Sequence, residues 1–177
     1  MFLNNYYRMK EQNENILTDS SDFIIDKGYQ VVLPNGSSVN ITASAVNGFD
    51  RFSSTPSSGG IVVGATSSTT VLSRYKYIQF GSGTTPVTIY DYKCETPISN
   101  ISCTSARIAS ITNGRRITYT FMNTNDTPIT VNEVVIYDNF AFTGTACKVA
   151  VWREVFDTPL EVGAGETFIY NIEIVEV

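Results

Sequence analysis

The first residues whose spacing suggests chemistry are Gly81 and Gly83, in the stretch FGSGTTP. A glycine-rich loop can cradle phosphate when it follows a strand and opens a helix. The dinucleotide-binding form needs a third glycine three residues further on, and the P-loop form needs a Gly-Lys-Ser/Thr sequence. Pro86 and the alternating residues 87–89 follow here instead. The pattern predicts a turn between two strands rather than a nucleotide site.

Three pairs of acidic residues stand near each other in sequence and suggest general acid–base chemistry. A glycosidase needs two carboxylates that lie roughly 5 to 9 Å apart. Because acidic side chains are rarely buried without a partner, the sequence favours solvated surface carboxylates over a catalytic pair. The pairs are Asp91 and Glu95, Glu133 and Asp138, and Glu154 and Asp157.

A fourth candidate is the run NTND at residues 123–126, which offers oxygen ligands to a cation. Its spacing is not that of a calcium-binding loop. Asn and Asp side chains also hydrogen-bond their own backbone in turns. The run therefore predicts a turn.

The chain contains no histidine, which removes the commonest general base and the imidazole metal ligands. Its three cysteines, Cys94, Cys103 and Cys147, show no C-x-x-C spacing, so we expect reduced thiols in the core. From these observations we expect a protein that is not an enzyme and that has no catalytic residues, no cofactor and no metal site.

Composition limits the partners. Lys and Arg total 12 against 17 Asp and Glu, a net charge of −5, so we expect no nucleic-acid partner. No apolar run is long enough to span a bilayer, and the first residues lack the apolar segment of a signal peptide. We therefore expect no membrane partner either.

The elements that must position any site fall into two parts. Residues 1–22 read as an extended or short-helical arm, because apolar residues recur there near helical spacing before a polar run. The arm is either a frayed terminus or an anchor that packs on a neighbouring subunit. Its candidate interface residues are Phe2, Leu3, Tyr6, Tyr7 and Met9.

Residues 23–177 show short alternating runs separated by turn residues, with Asn35-Gly36 as a hairpin signal. Many short strands without a convincing helix predict an all-β fold, a β-sandwich or a jelly-roll-like domain. An exposed loop is predicted over residues 48–60. Predicted strands cover residues 29–33, 38–42, 61–63, 69–80, 87–92, 116–122, 129–137, 148–156 and 167–174.

Four tyrosines are the further candidates for an interface. The chain has 10 Tyr and 10 Phe, and core packing explains most of the Phe residues. Tyr75, Tyr77, Tyr90 and Tyr92 are the tyrosines most suited to contacting a partner. One alternative for them, together with the 48–60 loop, is a glycan- or receptor-binding module.

Residues 75–174 carry a resemblance in three stretches, YIQFGSGTTPVTIYDYKCETPI, RRITYTFMNTNDTPITVNEVVIYD and KVAVWREVFDTPLEVGAGETFIYNIEI. In this order they resemble small structural proteins of tailed bacteriophages and prophages. The matching positions are Phe80, Gly81, Gly83, Thr84, Thr85, Asp91, Glu95, Thr120, Phe121, Asn123, Pro128, Ile129, Glu133, Tyr137, Val151, Arg153, Val155, Phe156, Pro159, Leu160, Gly165 and Glu166.

This resemblance implies a non-enzymatic virion protein of the tail, neck or baseplate and fibre attachment region. Its expected partners are other virion proteins and copies of itself. Assembly is expected through the N-terminal arm and through exposed sheet edges. A capsid decoration or head-fibre protein is the alternative location in the virion, and a module that binds a host surface glycan or receptor is the alternative function.

Overall fold

The computed structural model describes residues 30–40, 78–112, 114–142 and 145–175. These residues form an all-β fold of antiparallel sheets, and no helix occurs among them. The all-β prediction is therefore confirmed for this part of the chain. The strands are β1 (Gln30–Val32), β2 (Ser38–Asn40), β3 (Ile78–Gly81), β4 (Ile101–Ile111), β5 (Gly114–Asn123), β6 (Ile129–Phe142), β7 (Thr145–Val162) and β8 (Thr167–Val175).

β1 and β2 form the hairpin that the sequence predicts. The N–H of Gly36 donates to the carbonyl of Leu33 at 2.8 Å, which closes a tight turn through Pro34 and Asn35. Gly36 itself has a φ of 84°, a conformation that glycine adopts without a steric penalty. The Asn35 side chain accepts a hydrogen bond from the N–H of Ser37 at 3.0 Å. Local turn chemistry therefore sets this register.

The remaining six strands form two three-stranded sheets. The first, which we call the β6 sheet, has the order β3-β6-β7, and the second, the β5 sheet, has the order β4-β5-β8. In the β6 sheet, β7 has four residues, 156–159, opposite the single residue Asn132, because Val131 pairs with Leu160 while Glu133 pairs with Val155. Pro159 lies in this irregular part of an edge strand, where a missing N–H breaks no ladder bond.

One hydrophobic core draws side chains from both sheets. Phe80 of the β6 sheet meets Phe121 and Phe168 of the β5 sheet edge-to-face, with ring centroids 4.8 and 5.0 Å away. Val131 and Val134 on β6 are fully buried in the same cluster. Edge-to-face aromatic pairs add about 0.5 to 1.5 kcal/mol beyond the area that they bury. The two sheets are thus joined through aromatic contacts.

Asn123 links two turns at one end of these sheets. Its buried side-chain amide donates to the carbonyls of Thr127, Val162 and Gly163 at 3.0 to 3.2 Å. Its Oδ1 accepts from the N–H of Asn125 at 2.9 Å, so the predicted turn at residues 123–128 is confirmed. A buried amide must satisfy its hydrogen bonds, and this one does so by fixing both neighbouring turns.

Several sequence predictions differ from the structure. The predicted strand 87–92 is wrong, because residues 82–100 form no strand and contain a turn at residues 88–91. No predicted strand covers β4, and β7 extends six residues beyond the predicted end at residue 156. Residues 1–22, residues 48–60 and both Tyr75 and Tyr77 lie outside the described residues.

Candidate functional site

Glu133 and Arg153 face each other across neighbouring strands on the outer face of the β6 sheet, away from the shared core. Glu133 of β6 pairs with Val155 of β7, and Val135 pairs with Arg153. Residues two apart on a strand share a face, so the carboxylate and the guanidinium are diagonal neighbours. Both side chains are buried, with 0% and 3% of their surface exposed. A segment of irregular chain, residues 82–97, covers this face, and we call it the 82–97 loop.

The Glu133 carboxylate accepts five hydrogen bonds, four of which come from the 82–97 loop. Oε1 accepts from the N–H of Gly83 at 3.2 Å, the N–H of Thr96 at 2.9 Å and the thiol of Cys94 at 3.2 Å. Oε2 accepts from the N–H of Glu95 at 3.2 Å and from Nε of Arg153 at 2.9 Å. The loop backbone is therefore bonded to the Glu133 side chain and not to the backbone of a neighbouring strand.

Arg153 binds three carboxylates at once. Besides Glu133, it donates from Nη1 to Asp91 Oδ2 at 2.7 Å and from Nη2 to Glu95 Oε2 at 3.3 Å. The Glu95 carboxylate also accepts from the N–H and the hydroxyl of Thr85, at 3.0 and 2.6 Å. We call Asp91, Glu95, Glu133 and Arg153 the Arg153 network. Through Asp91 and Glu95, and through the bonds of Glu95 to Thr85, the network fixes the 82–97 loop to β6 and β7.

The glycines at 81 and 83 make room for this network. Gly81 pairs with Glu133 in the sheet register, and a Cβ there would come within 2.5 Å of Glu133 Oε1 and 2.6 Å of the Thr96 carbonyl oxygen. A Cβ on Gly83 would come within 2.5 Å of both Glu133 Oε1 and Glu95 Oε2. The Gly-Ser-Gly motif thus lets the backbone approach a buried carboxylate of its own chain.

A small apolar cluster lies beside the network under the same loop. Cys94, Val135, Tyr137 and Ala150 are buried together. The Tyr137 hydroxyl accepts from the N–H of Cys94 at 3.0 Å and donates to Gln79 Oε1 at 2.9 Å. Burial raises the pKa of Tyr137 to about 12, and burial together with the Glu133 carboxylate raises the pKa of the Cys94 thiol. Cys94 is a free, protonated thiol, as the sequence predicts.

The three carboxylates of the network have lowered pKa values. For Glu133, burial by itself raises the pKa, but the hydrogen bonds from Thr96, Cys94 and Arg153 outweigh it. For Asp91, too, burial by itself raises the pKa, but hydrogen bonds from Thr88 and Arg153 outweigh it. Hydrogen bonds from Thr85 are the main cause of the lowered pKa of Glu95. All three groups are ionised at neutral pH.

The lowered pKa values of these carboxylates predict that acid destabilises the folded protein. A carboxyl group whose pKa is lower in the folded state stabilises the fold above its unfolded pKa and loses that contribution as pH falls. The ordinary values are 3.8 for Asp91 and 4.5 for Glu133, so we expect the urea midpoint to fall as pH drops below about 4.5. The comparison is the Asp91→Asn variant, for which we expect a shallower dependence. Equal acid dependence of both proteins would contradict the prediction.

The turn at residues 88–91 forms the outer end of the 82–97 loop. Asp91 accepts from the N–H and the hydroxyl of Thr88, at 3.0 and 2.9 Å, and its own N–H donates to the Thr88 carbonyl at 3.2 Å. Ile89 and Tyr90 occupy the two corners of the turn, and their exposed fractions are 44% and 72%. The network therefore presents two apolar side chains to solvent on a fixed turn.

Among the sequence candidates, the structure places Tyr90 at this exposed corner. Tyr92 is partly buried, with the Lys93 ammonium 5.8 Å from its ring centroid, and its hydroxyl lies near Gly36 of the β1-β2 turn. Tyr75 and Tyr77 lie outside the described residues, as do the arm candidates Phe2, Leu3, Tyr6, Tyr7 and Met9.

The expectation of a solvated Glu133 is wrong, because its carboxylate is fully buried and fully hydrogen-bonded. Glu95, Glu154 and Asp157 are exposed as expected, while Asp91 is partly buried where Arg153 binds it. Arg153 is not among the site residues predicted from the sequence. A signal existed in two apolar strand sequences, since VNEVVIY contains the acidic Glu133 and VAVWREVF contains the basic Arg153, which are of opposite sign.

Chemically, the network is a set of groups that satisfy each other. The carboxylates of Glu133 and Asp91 are taken up by N–H, hydroxyl and guanidinium donors, and the Cys94 thiol is held protonated. No group of three Cys, Asp or Glu residues suited to a metal ion occurs in the described part of the chain. The arrangement is therefore suited to holding and presenting the 82–97 loop.

Comparison with protein-family models, curated proteins and solved structures finds no significant match to this chain. Within residues 30–40, 78–112, 114–142 and 145–175, no helix is long and apolar enough to cross a membrane.

Proposed function

We propose that this chain is a non-enzymatic structural protein of a tailed-bacteriophage particle, located in the tail, the neck or the baseplate and fibre attachment region. The observation that carries the proposal is the convergence of residues from all three resembling stretches on the Arg153 network. Gly81, Gly83, Asp91 and Glu95 come from the first stretch, Glu133 from the second and Arg153 from the third. The residues that carry the resemblance therefore meet in one structural unit, which supports the proposal.

The proposed fold is a β-sandwich in which the β6 and β5 sheets are the two layers. The shared aromatic core supports this reading, since its members alternate along strands of both sheets. Among the strands that the structure describes, β8 (Thr167–Val175) is an edge strand paired with β5 alone, and it contains no proline. An edge of this kind is suited to strand addition by another chain.

The proposed location is the virion, and the proposed partners are other virion proteins and copies of the chain, which the N-terminal arm and the sheet edges contact. The net charge of −5 argues against a nucleic-acid partner. The exposed Tyr90 gives specific support to the alternative function, a module that binds a host surface glycan or receptor. A capsid decoration or head-fibre protein remains the alternative location.

The deciding measurement is the copy number of this chain in purified particles, obtained by quantitative mass spectrometry against the major capsid protein. A tail, neck or baseplate ring predicts about six to a few dozen copies, following cyclic symmetry. A ratio near that of the capsid protein would move the chain to the shell. Absence from particles would contradict the proposal in both locations.

Removal of residues 1–20 tests assembly through the arm. We expect the truncated chain to keep its β fold, because the described core residues and the Arg153 network all lie at position 78 or above. We expect its copy number in particles to fall at least about tenfold, since the proposed anchor is lost. Circular dichroism checks the fold, and mass spectrometry of particles checks incorporation.

A full-length control variant separates the arm's side chains from its length. Here serine replaces Phe2, Leu3, Tyr6, Tyr7 and Met9, and we expect the same loss of incorporation. Normal copy number of a folded truncated chain would exclude the arm as the anchor.

A further inference from the structure

Residues 83–95 of the 82–97 loop are attached to the strands beneath them through carboxylates. Five hydrogen bonds that join this segment to β6 or β7 have a carboxylate oxygen of the Arg153 network as acceptor. One further bond, from the N–H of Cys94 to the Tyr137 hydroxyl, has an uncharged acceptor. Hydrogen bonds to charged groups are stronger than neutral ones, so the attachment depends on the ionised state of the network.

The two ends of the loop are attached by the backbone instead. The N–H of Ser82 donates to the carbonyl of Thr96, and the N–H of Ile98 donates to the carbonyl of Phe80, both at 2.9 Å. Backbone amides and carbonyls keep these bonds at acid pH, because they do not titrate there. Acid therefore acts on the middle of the loop and leaves its two ends joined to each other and to β3.

The carboxylates are the groups at this site that change charge between neutral and acid pH. A carboxyl group whose pKa is lowered by its contacts keeps those contacts until pH falls through the lowered value. All three carboxylates of the network have a lowered pKa, so the change lies in the acid range. Burial raises the pKa of Tyr137 and of Cys94, so both stay protonated in acid. The other charged groups here, Arg153 and Lys93, stay cationic.

Protonation of the three carboxylates leaves Arg153 as a buried cation without an anion. Its side chain is 3% exposed under the attached loop. A buried charge that loses its partner is strongly destabilising. Movement of residues 83–95 away from the sheet admits water to the guanidinium, so acid favours the detached loop over the attached one.

The core that joins the two sheets contains no carboxylate among the residues that the structure describes. Its buried members are apolar or aromatic side chains, including Phe80, Phe121 and Phe168. Ion pairs between exposed side chains, such as Arg116 with Glu173, contribute little to stability. Acid therefore weakens the attachment of the loop more than it weakens the packing of the sheets.

We propose that acid releases residues 83–95 from β6 and β7 as a unit, while the two sheets and their shared core stay folded. Proteins open locally in cooperative units of this kind at a lower free energy than that of global unfolding. Release uncovers the small apolar cluster of Cys94, Val135, Tyr137 and Ala150 on the outer face of the β6 sheet. The Arg153 network is thus a pH-sensitive switch that exposes an apolar surface. This inference concerns the chain itself and does not depend on the proposed virion location.

Cys94 reports the state of the loop, because it is 2% exposed while the loop is attached. The wild-type, full-length chain is treated at a series of pH values with 4,4′-dithiodipyridine, a thiol reagent that also reacts in acid. Each rate is divided by that of the urea-unfolded chain at the same pH, which removes the pH dependence of the reagent. We expect the relative rate at Cys94 to rise at least about tenfold between about pH 6 and about pH 3. The reason is that each proton taken up on opening raises the open population about tenfold per pH unit.

Cys103 is the internal control, because it lies on β4 and packs against the core. Peptide mass spectrometry assigns the label to each cysteine, and far-UV circular dichroism reports the sheets. We expect the relative rate at Cys103 and the dichroism to keep their neutral values at the pH where Cys94 becomes reactive. Protection of Cys94 throughout this range would overturn the proposal. Reaction of Cys94 only together with reaction of Cys103, or with loss of the dichroism, would also overturn it.

Two variants test whether the carboxylates cause the release. Asp91→Asn with Glu95→Gln leaves Arg153 with one carboxylate of the network. We therefore expect labelling of Cys94 at neutral pH to be at least about tenfold faster than in the wild type, with a smaller further rise in acid. The matched control Glu173→Gln removes a carboxylate of similar exposure, 46% against 41%, from a different arginine, and it should behave as the wild type. A wild-type pH profile in the double variant, or the same change in the control, would overturn the role of the network.

Discussion

Replacing Arg153 by methionine is expected to lower the free energy of unfolding by about 3 to 5 kcal/mol, the usual effect of removing one partner of a buried ion pair. Methionine fills much of the same volume but removes the guanidinium that pairs with the fully buried Glu133 carboxylate. Asp91 and Glu95 lose the same partner. Urea unfolding followed by the fluorescence of Trp152, the single tryptophan of the chain, measures the change.

Two controls identify the cause of this loss. Arg116→Met removes an ion pair with Glu173 whose side chains are 47% and 46% exposed, so it should lower stability by less than about 1 kcal/mol. The double variant Arg153→Met with Glu133→Leu should recover part of the loss, because an apolar pair leaves no unpaired charge. A loss below about 1 kcal/mol for Arg153→Met alone would show that water reaches Glu133.

Replacing Gly81 by alanine is expected to lower the free energy of unfolding by about 3 kcal/mol, the upper part of the range for overpacked sites. The added Cβ overlaps the Cys94 sulfur, Glu133 Oε1 and the Thr96 carbonyl oxygen, none of which is the free end of a flexible chain. The loop must therefore lift from the sheet. The Cys94 thiol, 2% exposed in the wild type, should then react with iodoacetamide, which mass spectrometry detects.

Gly165→Ala is the matched control for this substitution. Gly165 has a φ of 73° but nothing within 4 Å of a built Cβ, so alanine there is strained without a clash. We expect a loss of about 1 to 2 kcal/mol with Cys94 still protected. Protected Cys94 in the Gly81→Ala variant would contradict the role of Gly81 as the point of close approach.

Much of the fold is readable from local sequence. The Pro-Asn-Gly turn predicts the hairpin of residues 30–40, and alternation of apolar residues predicts β5 and β8 within a few residues of their ends. It also locates β6 and β7, which extend five and six residues beyond their predicted ends. The turn at residues 123–128 follows from Asn123, whose side chain bonds the backbone two residues on. These features depend on residues that are neighbours in sequence, so they can be predicted from a single sequence.

The Arg153 network depends on the register in which the strands pair, so no local sequence pattern predicts it. Residues 87–92 alternate like a strand, but Asp91 bonds Thr88 and Arg153, and these bonds hold the segment in a turn instead. Glu133 and Arg153 become diagonal neighbours only because of the pairing of β6 with β7, which contains two irregularities. Sequence alone shows the isolated charges in apolar strands and leaves their pairing open.

The hydrogen bonds that attach the 82–97 loop to Glu133 also set the order in which the nascent chain can acquire them. They join residues 37 to 50 positions apart, and the bonds to Arg153 join residues 58 and 62 positions apart. During translation the loop emerges well before both of the strands that hold it. At about 5 to 20 residues per second, Ile89, Tyr90 and Cys94 remain accessible for several seconds on the ribosome. A chaperone or an early partner would meet this loop before the sheet does.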